Sequence, residues 1–166
     1  MLNALEESNF HKRIMKINDF SFLILSRQEA CALKLNMPYV LISVNEPNSG
    51  EIVFEPDANR IEILRLKFND VFNKENTNST LMSRSDAHNI IDFVSKHSST
   101  DLIYVIHCTM GVSRSPAIAA AIAATKGYDI RTFWTNFLPN SHVFGTIMSC
   151  YAVQQANLEK QQKDVI

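Results

Sequence analysis

Cys108 and Arg114 stand six residues apart in the stretch "IHCTMGVSRSP" (106–116), between an apolar run and an alanine-rich run. A turn that leaves a strand and enters a helix directs its backbone N–H groups inward. Backed by the positive end of the helix dipole, such a nest binds an oxyanion. Gly111 lets the backbone take a conformation most residues resist, and the Arg114 guanidinium can grip two oxygens at once. The same field acts on the thiol of Cys108, drawing its pKa below the usual ~8.5 and making a thiolate nucleophile at neutral pH. Nucleophile, anion cradle and charged clamp therefore fit within a few residues, and the cradle suits a tetrahedral phosphoryl group. A cysteine that only fills space at the base of a turn has no need of an arginine six residues later.

The elements that must hold this loop can be read from pattern. Leu102–Ile106 is an apolar strand leading into Cys108. Pro116 falls in the first turn of the following helix, where proline is tolerated. That helix runs through alanine and isoleucine to Lys126, with Gly127 as its stop signal. Small residues on all sides mean that other elements pack closely against it. Upstream, Ile14–Ile17 and Phe20–Leu25 read as short strands around an Asn18-Asp19 turn, and Tyr39–Val44 as a buried strand. Arg60–Phe68 reads as a strand whose alternation slips between Ile63 and Leu64, through burial on both faces or a bulge. Ser26 with Glu29 forms a capping box for a helix reaching about Asn36, and Ser83 with Asp86 caps another bearing Ala87, Ile90, Ile91 and Val94 on one face. "NEPNSG" (45–50) is turn chemistry and 69–80 a polar loop. Asp129–Phe137 and Ser141–Leu158 complete the chain as helices. Strands alternating with helices predict an α/β fold: a central, mostly parallel, twisted sheet of about four to five strands with helices on both faces. In such sheets ligands bind at the carboxyl ends of the strands, where this loop lies. One domain over 1–166 is expected, with 1–11 and 159–166 frayed.

His107, Cys108, Gly111, Arg114 and Ser115 together resemble the His-Cys-x5-Arg-Ser/Thr signature of the cysteine-dependent protein tyrosine phosphatase superfamily, and the form "HCxxGxSRSP" is similar to its compact dual-specificity and small bacterial branch. The resemblance implies a phosphate-binding loop in which Cys108 is the nucleophile and forms a phosphocysteine. Arg114 would hold the phosphoryl group, Ser115 would donate to the cysteine sulfur and help it leave, and His107 would fix the loop and favour the thiolate by hydrogen bonding. Thr109, Met110, Gly111, Val112 and Ser113 would bind phosphate mostly through main-chain N–H groups, with Ser113 also bonding within the loop. Relatives often carry alanine where this chain has Met110, a difference at the pocket rim. Asn140, in "LPNSHVF", resembles an asparagine that braces the phosphate loop; N-capping of the last helix is the stronger competing reading.

The leaving group needs a proton, which a carboxylic acid can supply before acting as base on the hydrolytic water. In the small relatives this acid follows the strand upstream of the cysteine. Asp70 fits, beginning the polar loop after "LRLKF" and preceding Cys108 by 38 residues. Glu75 and Asp86 are weaker candidates, one in mid-loop and the other a helix cap. Asn69 stands where relatives often have a second acid. Trp134, Phe133 and Phe137 have helical spacing and read as core; Cys31 and Cys150 read as small buried hydrophobes.

Composition narrows the field. A formal net charge of -1 gives no bulk attraction to nucleic acid or an anionic membrane. Three cysteines form neither a disulfide framework nor a zinc site, no apolar run approaches ~20 residues, and the polar N-terminus is unlike a secretory signal. A cytoplasmic protein is expected, with no metal or cofactor, because thiolate and arginine would do what a metal does in other phosphatases. The reading is a phosphomonoester hydrolase acting on protein phosphotyrosine, and on phosphoserine and phosphothreonine where the pocket is shallow. A phosphatase for phosphoinositides or other small phosphoesters is the alternative, weakened by the lack of lysine in "TMGVS". A rhodanese-type sulfurtransferase would have a shorter loop and no use for Asp70. A catalytically silent phosphate-binding module would keep the cradle without nucleophile or acid.

Overall fold

The computed structural model describes residues 9–72, 78–99 and 101–163. Five strands form one sheet in the order β1-β2-β5-β3-β4. They are β1 (Met15–Ile17), β2 (Phe20–Ser26), β3 (Tyr39–Asn45), β4 (Arg60–Lys67) and β5 (Ile103–Cys108). Only the β1–β2 hairpin is antiparallel; β2, β5, β3 and β4 run parallel. The helices are α1 (Arg27–Ala32), α2 (Arg84–Lys96), α3 (Arg114–Thr125), α4 (Arg131–Asn136) and α5 (Ser141–Lys163). The expected α/β architecture is therefore present, with β1 as the antiparallel exception at one edge.

The three inner strands are buried on both faces, as parallel strands under helices must be. Their side chains sort with a period of two. Phe22, Ile24, Val40, Ile42, Val44, Tyr104, Ile106 and Cys108 face the larger core, shared with α2, α3 and α5. Leu23, Leu25, Tyr39, Leu41, Ile103 and Val105 face a smaller core closed by Ala30, Leu33, Leu35 and Phe54. Cys108 thus continues the face of β5 that meets α3, while His107 points to the other. Helix α3 is buried from Arg114 to Ala123 and packs against α5, β5 and β2. Its alanines remove the bulk that would hold those neighbours apart.

Both capping boxes form as expected. The Ser26 hydroxyl accepts from Glu29 N and the Glu29 carboxylate from Ser26 N; Ser83 and Asp86 do the same at α2. Asp86 is thereby committed to its cap. Gly127 follows the α3 cap with a φ of 73°.

The differences from expectation have local causes. Helix α1 stops at Ala32, short of Asn36, because Leu33 turns extended and Leu33 and Leu35 bury themselves in the smaller core. The irregularity in β4 lies near its start: Val40 pairs with Glu62 while Tyr39 pairs with Arg60, so Ile61 is the extra residue, on an edge strand. Cys31 is exposed and Cys150 buried. Phe133 is core, but Trp134 is exposed and meets Phe144 edge-on. Helix α5 continues to Lys163, past residue 159. No helix among the described residues is long and apolar enough to cross a membrane.

Candidate active site

The carboxyl ends of the parallel strands converge on the loop after β5, as the ligand-binding rule for such sheets requires. Ser26, the last residue of β2, pairs with Cys108. Glu46 follows β3 by one residue, and Phe68 follows β4 by one. The loop is tied to its neighbours through the main chain: Arg27 N donates to Thr109 O, Leu138 N to Val112 O and Asn140 N to Ser113 O, at 3.2, 3.1 and 3.1 Å.

Gly111 makes the turn possible. Its φ is 71°, and a Cβ there would lie 2.7 Å from both Leu25 C and Ser26 N, backbone atoms that cannot give way. The close approach lets Gly111 N donate to Cys108 Sγ at 3.3 Å. Ser115 Oγ lies 3.2 Å from the same sulfur. Ser113, at the N-cap of α3, makes no side-chain cap bond, so the first amides of the helix are not closed by its own side chain.

The sulfur is buried, and burial alone pushes its thiol pKa up. Hydrogen bonds from the Ser115 hydroxyl and amide, the Arg114 charge and the Gly111 amide together outweigh burial and hold Cys108 below the ordinary thiol value. These are the groups that would stabilise a thiolate.

Arg114 is 2% exposed. Its Nη1 donates to Phe68 O at 2.7 Å, and its Nη2 donates to Glu46 Oε1 at 2.6 Å and Thr109 Oγ1 at 2.9 Å. Glu46 also accepts from Thr109 Oγ1 at 3.2 Å and from Asn69 Nδ2 at 2.7 Å. The guanidinium is fixed on one side by strand ends β3 and β4. Its buried Nε has no protein partner among the described residues, which leaves that donor for an oxyanion. Glu46 was not apparent from sequence, where 45–50 read only as a turn. The available signal was its position, a carboxylate one residue past the carboxyl end of a central parallel strand.

His107 is fully buried between Ser43 and Phe54. Burial lowers its pKa to about 4, with the Arg27, Arg114 and Arg65 charges adding to the fall, while a bond to the Cys108 carbonyl opposes it. The ring is neutral at pH 7. Its Nδ1 donates to Cys108 O at 3.4 Å, so Nε2 accepts from the Ser43 hydroxyl at 2.7 Å. His107 therefore locks the main chain at Cys108. Its hydrogen bonds reach the Cys108 carbonyl and the Ser43 hydroxyl.

Asp70 joins the cluster from the loop after β4. Its Oδ1 accepts from Ser113 Oγ and from Asn140 Nδ2, each at 2.8 Å. The Ser113 hydroxyl thus leaves its own loop to hold Asp70. Asn140 caps α5, its Oδ1 accepting from His142 N and Val143 N, while its side-chain amide donates to Asp70 and to Val71 O and only its main-chain N–H reaches the loop at Ser113 O. Asn69 accepts from Thr80 N and donates to Glu46, bracing the loop base. Glu75 lies outside the described residues.

No family model matches the chain, and neither does any curated protein sequence. Among solved structures, it is similar to PTPMT1 in complex with PI(5)P, at TM-score 0.57 and 16% identity over 88% of this chain and 99% of that one. DUSP15 is similar at TM-score 0.57 and 14% identity, over 92% and 96% of the two chains. A human tyrosine phosphatase-like serine/threonine/tyrosine-interacting protein is similar at TM-score 0.55 and 14% identity, over 86% and 97%. The chain has the fold of the cysteine-dependent tyrosine and dual-specificity phosphatases. One of these neighbours is described as only phosphatase-like, so the site, and not the fold, must carry the argument for activity.

Proposed function

We propose that the protein hydrolyses phosphomonoesters through a phosphocysteine intermediate, with phosphotyrosine in proteins as its substrate. The observation that carries this is the convergence on one buried sulfur of the Ser115 hydroxyl, the Gly111 amide and a fixed Arg114. The Cys108 thiolate attacks phosphorus while the ester oxygen departs in line. Asp70 gives that oxygen its proton; because Oδ1 is committed to Ser113 and Asn140, the proton is carried on Oδ2. Water then attacks the phosphocysteine and passes a proton back to Asp70. The S–P bond breaks, and Ser115 donates to the departing thiolate. Amides of 109–113 and the Arg114 Nε–H follow the phosphoryl oxygens through both steps.

The reading rests on the presence of nucleophile, clamp and acid in one cluster, which a silent binding module has no need to keep. The neighbour that binds PI(5)P keeps phosphoinositides in the test panel. The assay is hydrolysis of p-nitrophenyl phosphate, phosphotyrosine and phosphoserine peptides and short-chain phosphoinositides by wild type and Cys108→Ser. Turnover of the aryl phosphate and phosphotyrosine that is lost in Cys108→Ser is expected, with vanadate inhibiting and EDTA without effect. Turnover that survives Cys108→Ser overturns the mechanism, and hydrolysis of phosphoinositides alone overturns the substrate.

A further inference from the structure

The mouth of the site is apolar in a way that the phosphate chemistry does not require. Met110 and Val112, on the phosphate loop, are 72% and 40% exposed; Phe72 and Leu138 are 58% and 74% exposed. They come from three loops that the hydrogen bonds knit together. Leu138 N is bound to Val112 O. Asn140, two residues on, is bound to Ser113 O, Asp70 and Val71 O, and Phe72 follows Val71. Large apolar side chains grouped around a binding cleft mark a contact surface, whereas scattered ones mean little.

The charges at the mouth point the same way. Over residues 68–72, 108–114 and 137–140 the charged side chains are Asp70 and Arg114, and Arg114 is buried and paired with Glu46. Arg27, whose amide is bonded to Thr109 O, turns its guanidinium to Asn45 Oδ1. Within these stretches a polyanionic ligand would meet no cation besides the paired Arg114. An apolar one would cover surface now in water.

The geometry points to Phe72, Met110, Val112 and Leu138 as a specificity collar that selects phosphotyrosine segments with apolar residues flanking the phosphotyrosine. This deepens the phosphotyrosine reading and rests on it. Burying parts of one or two flanking side chains on the collar gives a preference of about tenfold or more.

The test uses the full chain, two phosphotyrosine peptides flanked by leucines or by glutamates, and p-nitrophenyl phosphate, which has no flanks. The variants are Leu138→Lys and Phe72→Lys. Wild type should show kcat/KM at least about tenfold higher for the leucine peptide. Both variants should bring the two peptides to near equality while p-nitrophenyl phosphate turnover stays within about twofold. Fluorescence anisotropy with Cys108→Ser should rank the peptides identically. That arm separates the two claims: ranked binding without turnover keeps the collar and removes the hydrolase, and turnover without ranking does the reverse. Equal peptides in wild type overturn the collar. So does a ranking that both lysine variants leave intact, or an apolar surface whose substitution abolishes only sedimentation with phosphatidylcholine vesicles.

Discussion

The loop at 107–115 and the ring of supports around it are built in opposite ways. Within the loop the decisive contacts are short in sequence: Gly111 to Cys108, and Ser115 to Cys108. The supports reach it from far along the chain, Glu46 from β3, Phe68 and Asp70 from the end of β4, and Asn140 from the start of α5. Under the proposed mechanism the loop would make a sulfur reactive by local geometry. The supports hold Arg114 and Asp70 in place, and they exist only once the sheet is assembled. Loss of a loop residue should therefore remove reactivity toward every substrate, whereas loss of a support should cost alignment and depend on what is being cleaved.

Gly111→Ala should give the largest effect. The added Cβ collides with the backbone of β2, so several amide donors leave the oxyanion together. A loss of about 10³-fold or more is expected for good and poor leaving groups alike; a wild-type-like kcat/KM in a folded variant would break the comparison. Asp70→Asn comes next and should sharpen it. Turnover of an alkyl or unactivated phenyl phosphate should fall about 10²-fold or more, and that of p-nitrophenyl phosphate only a few-fold. Equal losses for both would mean that Asp70 holds the loop and donates no proton. Glu46→Gln keeps the shape but removes the charge facing Arg114, and should lower kcat/KM about tenfold, mostly through kcat, with little change in melting temperature.

The smallest effect concerns stability. His107 is held at a pKa of about 4 against an ordinary 6.5. Between those values the unfolded chain binds a proton that the folded one excludes. Stability is thus complete above pH 6.5 and falls as pH drops toward 4, by on the order of 2–3 kcal/mol. Urea unfolding at pH 7 and 4.5 should show a smaller pH-dependent loss in His107→Gln than in wild type; an identical loss would remove His107 as its cause.

The same contrast explains what the sequence made legible. The loop's requirements fall on consecutive residues, so Cys108, Gly111, Arg114 and Ser115 were apparent with their spacing. The capping boxes at Ser26 and Ser83, and the strands at 39–44 and 102–106, were equally local. Glu46 was hidden because a carboxylate in a turn carries no mark of the arginine it will meet 68 residues later. The pairing of Ser113 with Asp70 was missed for the same reason. Helix α1 ended early because burial of Leu33 and Leu35 outweighed local helical preference.

The most direct test follows the rate of Cys108 alkylation by iodoacetamide against pH in wild type and Ser115→Ala, with Cys31 and Cys150 replaced by serine and alanine. A sulfur held below the ordinary thiol value should reach its plateau rate at lower pH than a free cysteine does, and removal of the Ser115 hydroxyl should shift the curve upward. A rate still climbing through pH 8–9 like that of a free cysteine, unmoved by Ser115→Ala, would contradict the account at its source.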